Sequence, residues 1–268
     1  MKDKFLIALD LDGTLLKEDK TISEKTKKVL GQVRKDGHIV MISTGRPYRS
    51  SAMYYRELGL DSPIVNFNGA FVHHPQNPDW ENFHEPIALS VVKEIVEICS
   101  RHSVENMVAE VIDEVYIHYH NEKLLDVLKL GNPKITTGDL RRFLKNDPTS
   151  LLVQGDEESV KKIRAILSEV HAELVDHRNW GAPWHVVEIV KHGINKAIGV
   201  QKVADYYRIP RDRIIAFGDG DNDIEMLKYA KYGIAMENGI DEVKEVAYEV
   251  TADNERDGVA RFLEKFFF

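Results

Sequence analysis

Cysteine is almost missing from this chain of 268 residues: Cys99 stands alone, so no internal disulfide can form and a reducing compartment, the cytoplasm, is expected. Long apolar runs are missing too. Even Phe5 to Leu16 is interrupted by Asp10 and Asp12, short of the roughly 20 residues a membrane span needs, which excludes pumps and channels. There is no surplus of positive charge. Against 44 Asp and Glu stand 36 Lys and Arg, a net charge of −8, so nucleic acid is not an expected partner, although a local basic pocket for a small anion remains open. The opening MKDKFLIALDLDG meets acidic residues too soon for a signal peptide, and no internal repeat or low-complexity tract is present. What remains is an ordinary folding composition, 43% hydrophobic and 30% charged, at a length that suits one large domain or two.

The run from Lys4 to Asp10 reads as a buried parallel strand entering a loop. Ser23 then caps a helix whose Thr26, Val29, Leu30 and Val33 recur at helical spacing, Gly37 ends it, and a strand over 38–43 follows. A further helix after Pro47 and a third strand over 64–67 continue the alternation, which predicts a doubly wound parallel-sheet α/β core. After Gly69 the pattern changes. Helices near 90–101, 121–130 and 156–170 mix with strands near 107–112, 114–119, 150–154, 172–175 and 185–190, an α+β pattern. From Ile194 the β/α alternation resumes. We therefore expect a discontinuous core of residues 1–83 and 190–268 with an inserted α+β cap domain over 84–189.

The first strand ends Asp10-Leu11-Asp12-Gly13-Thr14, and period-two alternation turns both carboxylates to one side. Two like charges at the end of a buried strand need compensation, for which a hard divalent cation is the natural candidate. Alone, such a pair is more often a strand end and a turn. Three further signals change that reading. Ser43-Thr44-Gly45-Arg46-Pro47 places a hydroxyl and free amides at a helix start, a phosphate-binding geometry. Asp219-Gly220-Asp221-Asn222-Asp223 follows another strand, and an EF-hand is ruled out because Ile224 and Ala230 stand where Gly and Glu are required. Lys196, in His192-Gly-Ile-Asn-Lys-Ala197, opens the helix that re-enters the core.

Taken in order, D-L-D-G-T-L, S-T-G-R, the lysine of G-I-N-K and G-D-G-D-N-D resemble the haloacid dehalogenase-like hydrolases, and more narrowly their Cof-type phosphatases, with Asn68-Gly69-Ala70 also fitting. The resemblance covers essentially the whole chain. It implies a Mg²⁺-dependent phosphatase of small phosphorylated metabolites, sugar phosphates or phosphorylated cofactors. Asp10 would be the nucleophile that forms an aspartyl-phosphate and Asp12 the general acid and base. Mg²⁺ would lie between Asp10, the Asp12 carbonyl and Asp219, with Asp223 in support. Thr44, the Leu11 and Gly45 amides, Lys196 and Asn222 would hold the phosphoryl oxygens, while Asp221 has no clear counterpart.

Asp12 decides between branches, because a dehalogenase has no use for a second acid there and a membrane ATPase places a lysine. A phosphomutase or phosphotransferase and a catalytically silent sugar-phosphate sensor remain the rivals. Arg46 is expected toward the cap, and with Trp184, His185 and Glu188 it makes up the candidates for substrate specificity, although the tryptophans read first as cap packing. His118 with His120, and His73 with His74, read as surface or cap histidines, and a monomer or weak dimer is expected.

Overall fold

Leu6–Leu9 carries four apolar side chains in succession, and all four are fully buried, as a strand covered on both faces requires. In the computed structural model, which describes residues 4–179 and 185–268, this strand lies inside a five-stranded sheet. The sheet order is Glu249–Thr251, Tyr232–Met236, Ile214–Gly218, Leu6–Leu9, Ile39–Ile42, and every pairing is parallel. A parallel bridge between Ser43 and Val65 places the strand Ile64–Asn66 next. The chain leaves Leu6–Leu9 toward one edge and later returns on its other side at Ile214–Gly218. That reversal makes a topological switch point, and the loops after both strands open at the carboxyl ends.

The helices follow their sequence signals. Ser23 accepts from the Thr26 amide and starts Glu24–Lys35, whose Thr26, Val29, Leu30 and Val33 are buried. Asn195 caps Lys196–Tyr207 in the same way through the Ile198 amide. The C-terminal phenylalanines are packing residues: Phe266 and Phe267 sit edge-on to Phe5, with centroids at 5.4 and 5.6 Å. Among the described residues no helix is long and apolar enough to cross a membrane.

By backbone proximity the chain divides into two compact units, Met1–Arg46 with Ser51–Phe83 and Asn195–Phe268, and Pro47–Ser50 with His84–Ile194. The second unit thus takes a short segment after Arg46 and extends past the expected boundary at 189. Its six-stranded sheet runs Val175–Asn179, Val186–Lys191, Ser150–Gly155, Val104–Val111, Glu114–Ile117, Ile135–Thr137. The pairings are antiparallel apart from the last, which is parallel. Strand alternation gives this sheet two apolar faces. One packs Met107, Leu151 and Val187 against helices Leu89–Ser100 and Glu157–Val170, and the other gathers Val108, Val115, Ile117 and Leu152.

One expectation needs correction, and two further segments add detail. The strand expected over 172–175 begins only at Val175, because the amides of Leu174 and Val175 close the preceding helix on the His171 carbonyl. The aromatic and His-rich stretch Phe71 to His84 holds two short strands, Phe71–His73 and Phe83–His84. The acidic loop opens with a turn of 3-10 helix, Asp221–Asp223, before the α-helix Ile224–Tyr229 begins.

Candidate active site

Asp10 continues the line of Leu6–Leu9, its amide donating to the Phe217 carbonyl at 3.2 Å, and its side chain is almost wholly buried. Burial of a bare carboxylate is costly, and Lys196 supplies the compensation. Its Nζ lies 2.6 Å from Asp10 Oδ1 and 2.7 Å from Asp223 Oδ1, and the lysine has no exposed surface. As the first residue of a capped helix it is carried to this point by backbone geometry. Asp223 in turn organises its own loop, Oδ2 accepting from the amides of Asp219 at 2.9 Å and Gly220 at 3.0 Å. Both of its carboxylate oxygens are thereby engaged.

Asp219 completes the group. Its Oδ1 accepts from Thr14 Oγ1 at 2.8 Å. Gly13, with φ +79°, lets the first-strand loop come this close, since a Cβ there would collide with the Asp219 carboxylate. Ligand atoms of Asp10, Asp219 and Asp223 all lie within 4.8 Å of one another, the only such convergence of metal-ligating side chains among the described residues. Three converging carboxylates are the donor set a hard divalent cation takes, so the residues fit Mg²⁺. Electrostatics agree. Burial is the largest cause pushing the Asp10 carboxyl well above its ordinary value, with Asp223 and Asp219 adding to it and Lys196 opposing. Burial and then Asp223 push Asp219 up to about 6 against the pull of Thr14 and Lys196. Lys196 itself is raised, because the two carboxylates outweigh its own burial.

Asp12 faces different partners. Arg46 grips it with two bonds, Nε to Oδ2 and Nη2 to Oδ1, both 2.6 Å, and Lys20 Nζ reaches Oδ1 at 2.9 Å. Burial works against the charge on Asp12, but the Arg46 hydrogen bonds and charge, with Lys20, outweigh it and lower the pKa. The Arg46 guanidinium also rests over the Tyr54 ring, 5.5 Å from its centroid. Arg46, expected toward the inserted domain, has Asp12 as its ion-pair partner.

Leu11 is fully buried, and its carbonyl takes the amides of Thr14, Leu15 and Leu16, closing the turn that presents Asp10 and Asp12. Thr44 is buried, its hydroxyl accepting from the Arg46 amide at 3.1 Å. Beside it Gly45 packs against Asn68, and Asn68 Oδ1 accepts from Asn222 Nδ2 at 2.9 Å. The first unit therefore brings together Asp10, Asp12, Leu11, Thr44, Gly45, Arg46, Lys196, Asp219, Asn222 and Asp223 at the carboxyl ends of its strands. Asp221 is exposed.

Of the remaining candidates, His185 and Glu188 lie in the second unit. Glu188 is buried in the strand Val186–Lys191, opposite Arg178 of its neighbour, which is a position within the sheet. His185 is half-buried with φ +43°, and Trp184 lies outside the described residues. The histidines take structural places: His118 Nδ1 accepts from the Leu140 amide, His120 pairs with Glu122, and His73 stacks on Phe71. Three residues of the site were not singled out from the sequence for the parts they play. Thr14 stands inside a recognised motif, whereas nothing local marks Lys20, and Asn68 meets its partner 154 residues away.

A model of the haloacid dehalogenase-like hydrolase family matches residues 7–263. The 5-amino-6-(5-phospho-D-ribitylamino)uracil phosphatase YitU of Bacillus subtilis is 59% identical over 263 residues, covering 98% of this chain and 97% of its own. A haloacid dehalogenase-like hydrolase from Bacteroides thetaiotaomicron, solved by crystallography, superposes with a TM-score of 0.84 at 25% identity, covering 99% of this chain and all of its own. The fold is also that of the subclass IIB sugar phosphatase BT4131, with a TM-score of 0.83 at 23% identity over 98% of this chain and 99% of that one.

Proposed function

The chain belongs to the haloacid dehalogenase-like hydrolases and is a phosphatase of that family, and from this premise we propose that its substrate is 5-amino-6-(5-phospho-D-ribitylamino)uracil, cleaved through an aspartyl-phosphate on Asp10. The substrate is carried over from the relative at 59% identity. The mechanism rests on one observation, the buried Asp10 carboxylate held by Lys196 beside Asp219 and Asp223.

In the first half, an Asp10 oxygen bonds to phosphorus as the bond to the polyol oxygen breaks, and Asp12 gives that oxygen its proton. In the second, Asp12 takes a proton from water, whose oxygen attacks phosphorus and releases inorganic phosphate and free Asp10. Lys196, the Thr44 hydroxyl, the Leu11 and Gly45 amides and Asn222 hold the phosphoryl oxygens as charge builds on them. Lys196 also fixes Asp10 for in-line attack, since its Nζ anchors one carboxylate oxygen. Asp10, Asp219 and the Asp12 carbonyl, with Asp223 in support, would hold Mg²⁺, which when bound neutralises phosphoryl charge.

The test is a panel of phosphomonoesters that includes this substrate, assayed for phosphate release with Mg²⁺ and with EDTA. We expect the ribitylaminouracil ester to have the highest kcat/KM, no turnover in EDTA, and none in Asp10→Asn. Undiminished turnover by D10N sinks the mechanism, and a better sugar phosphate sinks the substrate.

A further inference from the structure

Phe67, Asn68 and Gly69 follow one another with φ of +50°, +52° and +103°. Left-handed backbone is costly for residues with a Cβ, most of all for a bulky one such as phenylalanine, and such strain gathers where a structure needs a side chain in one place. The turn is buried, Phe67 and Asn68 being 1% exposed, and it is held from several sides. The Asn68 amide donates to the Thr44 carbonyl at 3.1 Å, and Asn66 Nδ2 donates to the Arg46 carbonyl at 2.8 Å. Gly69 passes so close to Asn195 that any Cβ would collide with its carbonyl. Glycine at position 68 would relieve the strain there, yet an asparagine stands in its place.

What the strained turn presents is the Asn68 side chain. On one side it packs on Gly45, where a Cβ would come within 3.1 Å of Asn68 Nδ2. On the other, Asn68 Oδ1 accepts from Asn222 Nδ2 at 2.9 Å. We propose that Asn68 is a positioning residue of the phosphate site, fixing the Asn222 amide so that its second N–H faces the phosphoryl group. An amide nitrogen carries two protons, and once one is spent on Asn68 the direction of the other is set. The turn also ties the loop of Thr44 and Gly45 to that of Asn222, joining two phosphate-holding segments that lie far apart in the chain. This inference rests on the phosphate site described under the proposed function.

Asn68→Gly tests it, because glycine adopts this backbone freely and only the side chain is lost. We expect KM for the phosphomonoester and Ki for inorganic phosphate to rise roughly tenfold, as one hydrogen bond is worth, with Tm no lower than wild type. The double variant N68G/N222A should match N222A alone, since Asn68 acts through Asn222. Unchanged KM and Ki in N68G, with or without a lower Tm, would make Asn68 purely structural and overturn the proposal, as would independent multiplication of the two effects. D10N measured alongside separates the levels: its activity at wild-type rate undoes the site itself, whereas a dead D10N beside a wild-type-like N68G undoes this inference alone.

Discussion

Lys196 Nζ stands 2.7 Å from Asp223 Oδ1, with 0% and 1% of the two side chains exposed. The same nitrogen is 2.6 Å from Asp10, so one buried cation serves two buried anions. With Asp219 beside them the group holds more negative than positive charge, and the balance favours an added cation. An acidic chain can in this way build a site for an acidic substrate, because the local sign would be set by Lys196 and by a cation the carboxylates hold, not by the overall net charge of −8.

Removing the lysine should therefore be severe. Lys196→Met leaves two buried carboxylates without a counter-ion, at a cost of about 3–5 kcal/mol in the metal-free protein. Urea denaturation in EDTA measures it, and turnover should vanish as well. Mg²⁺ should restore more stability to K196M than it adds to wild type. A midpoint like that of wild type would show that the cation is not compensating the pair.

Metal binding should be proton-linked. The Asp219 carboxyl, ordinarily at 3.8, is pushed up to about 6, first by burial and then by Asp223. In the metal-free protein its contribution to stability is complete below the unfolded value and is lost as pH rises through about 6. A cation needs the deprotonated form, so Mg²⁺ should bind more tightly as pH climbs from about 5 to about 7, releasing protons as it does. Calorimetry at pH near 6 in two buffers of different ionisation enthalpy reads that release. Equal heats in both buffers would contradict it, and Asp219→Asn should abolish binding.

How much of this was readable in the sequence follows from how local each feature is. The parallel core shows in Leu6–Leu9, where four apolar residues run into two carboxylates, and in the cap Ser23. The strands Ile135–Thr137 and Glu249–Thr251 do not show, because three residues carry no periodicity and their pairing is set by neighbours distant in sequence. Within the site, the motif residues are legible as types, but their partners are not. Nothing near Arg46 in the chain tells that it meets Asp12, 34 residues earlier, and nothing near Asn68 points to Asn222. Side-chain direction in a loop is decided by the tertiary fold.

Cys99 gives a probe of the second unit. It is fully buried in the core with Val92, Ile95 and Leu151, and burial pushes its thiol up to about 12. The reactive thiolate is therefore both hidden and scarce. An aromatic disulfide reagent at pH 8 should label the native protein only through opening of this unit, slowly and at a rate that urea accelerates. Immediate stoichiometric labelling would mean that the packing around the helix Leu89–Ser100 is not as described.

Arg46 should control how Asp12 handles protons. The guanidinium occupies both carboxylate oxygens and, against the effect of burial, lowers the pKa of Asp12. Arg46→Gln removes the larger of the two cationic influences and leaves Lys20, so the pKa must move up. The limb of the pH–rate profile governed by Asp12 should then shift to higher pH, whether Asp12 is acting as acid or as base in the step that limits the rate. Leaving groups give a second reading. An alkyl phosphate needs a proton on its departing oxygen, whereas p-nitrophenolate leaves without one, so a misdirected Asp12 should slow the first far more than the second. Asp12→Asn sets the scale, with a loss of roughly 10²- to 10⁴-fold on the alkyl ester. Equal losses on both substrates in R46Q, with an unmoved pH profile, would mean that Arg46 only braces the loop.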